Sequence, residues 1–160
     1  MCSRQRSGNE DEPLDTEFWR AKQQEVAQHG QRLLAIACKQ VPEHKRDLGL
    51  GDVEQDMTML GLIGIIDPPR EEAIRAIAEC RSAGIKVQMI TGDYAPTARA
   101  IAGELGVDTG QEPLTGKEIE TMNDGEFQRR APHVEVFARS NPSHKIRLVK
   151  ALQASRQIVR

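Results

Sequence analysis

The stretch Ile85-Lys86-Val87-Gln88-Met89-Ile90-Thr91-Gly92-Asp93 decides the fold. Apolar Ile85, Val87 and Met89 alternate with Lys86 and Gln88, the two-residue period of a strand, and the run leads straight into a small polar turn. Asp93 can cap a following helix in which Ala98, Ile101, Ala102 and Leu105 fall at helical spacing and which Gly106 stops. Upstream, Asp67 can cap a helix with Pro68 at its first position, Glu71 and Glu72 at its positive end, and Ile74, Ile77 and Ala78 as the buried stripe. Downstream, Val134 to Ala138 reads as the next strand, and Asn141-Pro142 opens a helix with Ile146, Val149 and Leu152 facing inward. Gln157-Ile158-Val159 begins one more strand. Between them Thr115 and Glu118 make a capping-box pair, and Asp124 can cap a connector helix before Phe127. Helices and strands that alternate in this way imply a parallel α/β sheet from Asp67 onward.

The part before Asp67 has another rhythm. Asp15 or Thr16 can cap a helix carrying Phe18, Trp19, Lys22 and Val26 along one side, with Gly30 ending it. Arg32 to Cys38 and Met57 to Ile66 are apolar runs that read as buried, paired strands. Lys39 to Asp56, with Pro42, Gly49, Gly51 and many charges, reads as a surface loop. Residues 1–12 are charged and small, and a disordered lead-in is expected there. The chain therefore divides into residues 1–66 and 67–160.

A chain of 160 residues can bury roughly two thirds of its unfolded surface, enough for one domain or two small units. With a net charge of -2 and charges of both signs, it carries no global attraction to nucleic acid or anionic lipid. The aromatics Phe18, Trp19, Tyr94, Phe127 and Phe137 are too scattered for a base-stacking platform. Cys2, Cys38 and Cys80 lack metal-ligand spacing and read as reduced thiols. The longest apolar run, Met59 to Ile66, is far below the ~20 residues that cross a bilayer. His29, His44, His133 and His144 show no paired ligand spacing, and no Asp-x-Asp pair offers a Mg²⁺ site.

In an open parallel sheet, ligands gather beyond the carboxyl ends of the strands, where helix starts point unpaired N–H groups outward. Thr91-Gly92-Asp93 sits at such an end: a hydroxyl and an unobstructed N–H suit a phosphoryl oxygen, and a plain turn with an Asp cap is the other reading. Lys145, in the first turn of the next helix, opposes the helix dipole there unless an anion is near, so it is either a phosphate partner or a solvated lysine. Arg139 at the same rim can hold a ribose or an acidic hinge residue, or lie on the surface.

Taken in order, Arg32-Leu33-Leu34-Ala35-Ile36-Ala37, Asp67-Pro68-Pro69-Arg70, Ala83 through Asp93, Leu114-Thr115-Gly116-Lys117-Glu118 and Phe137-Ala138-Arg139 through Lys145 resemble the type II P-type cation-transporting ATPases, calcium pumps above all. The resemblance implies a haloacid-dehalogenase-like parallel sheet, here incomplete with its central strand missing, preceded by a small piece of nucleotide-binding domain. It assigns residues 1–66 to the end of that domain and 67–160 to the second segment of the phosphorylation domain, with Asp67 and Arg70 in the hinge between them. It implies that Thr91 and Gly92 contact the phosphoryl group and Lys145 neutralises it, that Arg32 touches ATP phosphates, and that Asp93 and Arg139 lie near the ribose and hinge. It implies no metal ligand in this chain, and ATP with Mg²⁺ as cofactors of a parent pump on the cytoplasmic side of a membrane.

Three family parts are absent from this sequence: the Asp-Lys-Thr-Gly-Thr run with the phosphorylated aspartate, the Gly-Asp-Gly-x-Asn-Asp loop, and the upstream lysine and aromatic that hold adenine. The expected function is that of a soluble cytoplasmic fragment of an ATP-driven cation pump, contributing phosphate and nucleotide contacts to aspartyl-phosphate formation and hydrolysis but inactive alone. The alternatives are a free-standing phosphatase of the same fold and a non-catalytic nucleotide- or phosphate-binding module. The partners implied are the pump's membrane helices, its actuator domain and its N-terminal phosphorylation segment. Strands Ile85 to Ile90 and Gln157 onward, lacking the strand between them, are expected to expose edges and favour self-association.

Overall fold

The structure is a computed structural model that describes residues 2–107 and 110–159. Its chain forms two compact units, the first from the residues up to Val26 with Leu33–Ile65, the second from Ala27–Arg32 with the residues from Ile66 on. In chain order the elements are β1 (Cys2–Ser7), β2 (Glu10–Pro13), α1 (Thr16–Gln28), β3 (Arg32–Cys38), α2 (Leu50–Glu54), β4 (Met57–Ile65), α3 (Glu71–Ser82), β5 (Met89–Ile90), α4 (Ala95–Leu105), β6 (Leu114–Thr115), α5 (Gly116–Thr121), α6 (Asp124–Arg130), β7 (Val136–Ala138) and α7 (Pro142–Ala154).

The first unit is a sheet in the order β2-β1-β4-β3. The lead-in expected to be disordered is a hairpin, with β1 antiparallel to β2 and parallel to β4. Gly8 takes φ 60 in the two-residue loop Gly8-Asn9, the backbone that lets a tight hairpin follow the natural strand twist. The polar side chains that argued for disorder pair across the strands: Arg6 with Asp11, and Gln5 Nε2 to Glu12 Oε1 at 2.8 Å. Gln5 Oε1 also accepts from the Asp15 amide at 2.9 Å and Trp19 Nε1 at 2.7 Å, tying the hairpin to α1. Asp15 caps α1 as expected, accepting from the Glu17 and Phe18 amides. A cavity of ≈ 350 Å³ lined by Trp19, Leu33, Ala35, Met59 and Leu62 separates α1 from one face of the sheet. The strands are less buried than their apolar composition implies, because Leu34, Ile36 and Leu60 are exposed.

The second unit is a three-stranded parallel sheet in the order β5-β7-β6. Its middle strand, Val136-Phe137-Ala138, is fully buried. Val136 and Ala138 pack with Ala98 and Ala102 of α4, while Phe137 packs with Leu114, Ile119, Phe127, Leu148 and Leu152 on the opposite side. Helices thus cover both faces, and Met89 and Ile90 of β5 divide between the same two clusters.

Several local expectations are corrected here. Asp67 and Pro68 lie outside any helix, and α3 starts after Arg70. Asn123, not Asp124, caps α6 by accepting from the Glu126 amide at 2.9 Å. Ile146 is exposed, and His144, Leu148, Ala151 and Leu152 form the buried stripe of α7. The strand expected over Ile85 to Ile90 shrinks to Met89–Ile90, because Ala131–His133 forms a 3₁₀ turn where a longer β7 would pair. Lys86 Nζ and Gln88 Nε2 reach that turn instead, donating to the Pro132 and Ala131 carbonyls at 2.7 and 2.8 Å. Gln157 to Val159 is not a strand: Arg156 turns left-handed at φ 60 and the Gln157 amide bonds back to Leu152 O.

The core assignment fixes a stability contrast. Phe137→Ala should destabilise the second unit by about 3–5 kcal/mol, whereas Ile158→Ala, at a side chain 88% exposed, should change stability by less than about 0.5 kcal/mol. Urea unfolding followed by far-UV circular dichroism measures both, and equal effects would contradict this packing.

Candidate functional site

The chain leaves β5 through Thr91-Gly92-Asp93 and leaves β7 through Arg139-Ser140-Asn141, so both turns lie at the carboxyl end of the parallel sheet. Backbone bonds zip them together: Thr91 N–H to Phe137 O, Ser140 N–H to Thr91 O and Arg139 N–H to Asp93 O, each 2.9 Å. Arg139 adopts φ 50, a left-handed backbone that costs a non-glycine residue of order 1 kcal/mol and persists only where its surroundings impose it. Its guanidinium lies 5.7 Å from the Tyr94 ring centroid.

Asp93 is the centre of the polar network rather than the helix cap expected of it, since the N-cap of α4 is Tyr94. Its carboxylate meets Arg32 in a two-pronged pair, Nε to Oδ1 at 2.8 Å and Nη2 to Oδ2 at 3.1 Å. The Thr91 hydroxyl donates to Asp93 Oδ2 at 2.8 Å and accepts from the Asp93 amide at 3.1 Å, which closes the turn on itself. Partial burial works to raise the Asp93 pKa, but the Arg32 guanidinium, the Thr91 hydroxyl and the charge of Arg139 outweigh it and hold the carboxyl below its ordinary range. Asp67 adds to the field that keeps Arg32 charged.

Lys145 stands in the first turn of α7, exposed, with no acidic residue in that turn to offset it. It also borders a cavity of ≈ 480 Å³ that runs along the outer edge of β5 and is lined by Ile85, Ile90, Leu152 and Ile158. The described sheet leaves that edge of β5 without a neighbouring strand. Of the residues singled out in the sequence, Arg32, Thr91, Gly92, Asp93 and Arg139 thus come together, and Lys145 joins the rim from the helix start. Arg70 is exposed at the N-cap of α3 and takes no part in the network.

Sequence reasoning passed over a cluster beside this rim. The His144 ring is buried with its Nδ1 accepting the Asn141 amide at 3.3 Å and its Nε2 3.1 Å from Glu120 Oε1. Gly116 opens α5 so close that a Cβ there would overlap the Arg139 carbonyl oxygen and lie 2.8 Å from His144 Cε1. The one sequence signal was the Asn141-x-x-His144 spacing of a capping box, unusual only in its third-position histidine. Ser140 Oγ, in the same loop, is buried without a hydrogen-bond partner among the described residues. No group of His, Cys, Asp and Glu among the described residues is arranged to hold a metal ion, and no helix among them is long and apolar enough to cross a membrane.

Comparison with known proteins points the same way as the motifs. The family model described as P-type ATPase, cytoplasmic domain N, matches residues 1–72. The chain is 44% identical over 138 residues to the cation-transporting ATPase pma1 of Synechocystis sp., covering 85% of this chain and 15% of that protein. It is 41% identical over 143 residues to calcium-transporting ATPase 1 of Lactococcus lactis, covering 89% of this chain and 16% of that protein. Human calcium-transporting ATPase type 2C member 2 matches at 36% over 148 residues, covering 92% of this chain and 14% of that protein. The chain spans about a sixth of the length of these relatives.

Arg32 is 67% exposed, so its pair with Asp93 is screened, and Arg32→Ala should cost less than about 1 kcal/mol. Asp93→Ala should cost more, because the Thr91 hydroxyl loses its carboxylate acceptor as well. The folded Asp93 pKa is depressed, so its stabilisation is complete above the ordinary carboxylate pKa of about 4 and is lost as pH falls through the lower folded value. Thermal melts from pH 6 downward should show a shallower acid loss in Asp93→Asn than in the unaltered chain.

Proposed function

We propose, since this chain belongs to the cation-transporting P-type ATPases, that within such a pump it supplies the surface that receives and neutralises a transferred phosphoryl group. One observation carries the reading: at the carboxyl end of parallel strands, Arg32, Thr91 and Asp93 form a single hydrogen-bonded network around the bare Gly92, and the uncompensated Lys145 lines a cavity together with Ile90, the residue before Thr91. The donor set suits phosphate chemistry. The exposed Gly92 backbone, the Lys145 ammonium and the Arg32 N–H groups not engaged by Asp93 can present hydrogens to an anion, the Thr91 hydroxyl joins them by turning from Asp93 Oδ2, and an anion near Lys145 relieves its opposition to the α7 dipole. Packing does not demand a glycine at position 92, where a Cβ would make only an ordinary 3.8 Å contact with Ser140 O, so its service is to let a ligand approach the backbone.

On this reading residues 67–160 are a segment of a haloacid-dehalogenase-like phosphorylation domain, residues 1–66 end the nucleotide-binding domain, and Asp67 and Arg70 belong to the hinge. Thr91 and Gly92 hold phosphoryl oxygens and Lys145 offsets their charge, while Arg32, Asp93 and Arg139 serve the nucleotide. ATP supplies the phosphoryl group to an aspartate elsewhere in the pump, Mg²⁺ takes its ligands from outside these residues, and the pump's membrane helices move the cation. The nucleophile-bearing strand would lie along the open edge of β5, and in this chain alone that edge is free to pair with a second copy. Sedimentation should therefore show association that grows with concentration.

The chain carries no Asp-Lys-Thr-Gly-Thr run, so incubation with γ-labelled ATP and Mg²⁺ should leave no acid-stable label on it. Inorganic phosphate should bind weakly and shift the Gly92 amide resonance. Lys145→Ala should weaken that binding while stability stays within about 0.5 kcal/mol. Thr91→Ala should weaken it too, at a cost of about 1 kcal/mol, because its hydroxyl also closes the turn. A covalently labelled chain, or phosphate binding indifferent to Lys145, would contradict the assignment.

A further inference from the structure

We propose that His144 is a positioning residue for the phosphate site, a role that rests on the reading of that site given above. Its ring is 5% exposed and touches three elements at once: the Asn141 amide at the start of α7, the Glu120 carboxylate on α5, and the Gly116 backbone that opens α5. The Asn141 N–H donates to Nδ1, so Nδ1 carries no proton. The neutral ring's proton is then on Nε2 and donates to Glu120 Oε1 at 3.1 Å. Asn141 Oδ1 returns the bond by accepting from the His144 amide at 3.0 Å, and the box is closed in both directions.

This arrangement controls where two site residues sit. Lys145 follows His144 directly, so the orientation of the first turn of α7 sets the direction of its ammonium. Arg139, with its left-handed backbone, lies at the other end of the same short loop, and its carbonyl oxygen is so near Gly116 that a Cβ there would overlap it. The body of α7 is held independently. Arg147 donates to the Met122 carbonyl and to Asp124 Oδ1, stacks 4.9 Å from the Phe127 ring centroid, and is followed by the buried Leu148, Ala151 and Leu152. Loss of the histidine ring should therefore leave the helix docked and free only its first turn.

The test is a titration of the chain with inorganic phosphate, read on the Gly92 amide, in the unaltered chain, His144→Ala, His144→Gln, Lys145→Ala and His144→Ala/Lys145→Ala. His144→Ala should bind about five-fold more weakly, the scale of one lost capping bond. His144→Gln, which keeps an acceptor for the Asn141 amide, should stay within about two-fold of the unaltered chain. The double variant should bind no more weakly than Lys145→Ala, because the histidine acts through the lysine. Nitrogen-15 spectra of His144 should show the neutral ring with its proton on Nε2. Phosphate binding by the unaltered chain that is unchanged in His144→Ala, a full five-fold loss added on top of Lys145→Ala, or a proton on Nδ1 would each overturn the positioning role alone. Absence of phosphate binding by the unaltered chain would overturn the phosphate-site reading and this role with it.

Discussion

Three consecutive buried residues, Val136, Phe137 and Ala138, set the second unit. A strand with no exposed side chain can exist only if both faces are covered and both edges paired or protected, and that requirement dictates the rest. Alternation sends Val136 and Ala138 into the α4 layer and Phe137 into the layer of α5, α6 and α7. Its carbonyl is also the acceptor that pulls the Thr91 amide into line, so the hydrophobic strand and the polar turn are one structure. Moving Phe137 moves the site.

The polar network is economical in energy and exacting in geometry. An ion pair with its arginine largely in water adds little stability, yet its two-pronged form fixes the direction of the Asp93 carboxylate and through it the Thr91 hydroxyl. Lys145 is left without such a partner, against the dipole of its own helix, and Arg139 is held in a strained backbone. Left-handed non-glycine backbone also occurs at Asp56 and Arg156, so what distinguishes this sheet end is that a strained Arg139 and a Lys145 unpartnered among the described residues occur there together.

The first unit shows the opposite weighting. Its sheet covers one face with α1 and leaves Leu34, Ile36 and Leu60 exposed on the other. Its outer hairpin is stitched by charges, Arg6 to Asp11 above all, and edge strands rich in charge resist unwanted pairing.

The sequence by itself determined what depends on neighbours along the chain: the strands over Arg32–Cys38 and Met57–Ile65, the capping box of Thr115 and Glu118, the glycine stops, and the turn Thr91-Gly92-Asp93 at the end of a strand. The lead-in hairpin was also within reach, through Gly8-Asn9, but net polarity argued against it until β4 supplied a partner edge. Tertiary structure alone decided the rest. Whether Asp93 caps a helix or anchors an ion pair depends on where Arg32, 61 residues away, arrives. The strand from Ile85 stays short because a 3₁₀ turn at Ala131 displaces its partner, and His144 becomes a buried brace because Gly116 and Glu120 come to meet it. Periodicity reports which face of an element is apolar, but which polar group finds which partner is set by long-range packing, and the chemistry of this site lies in those partnerships.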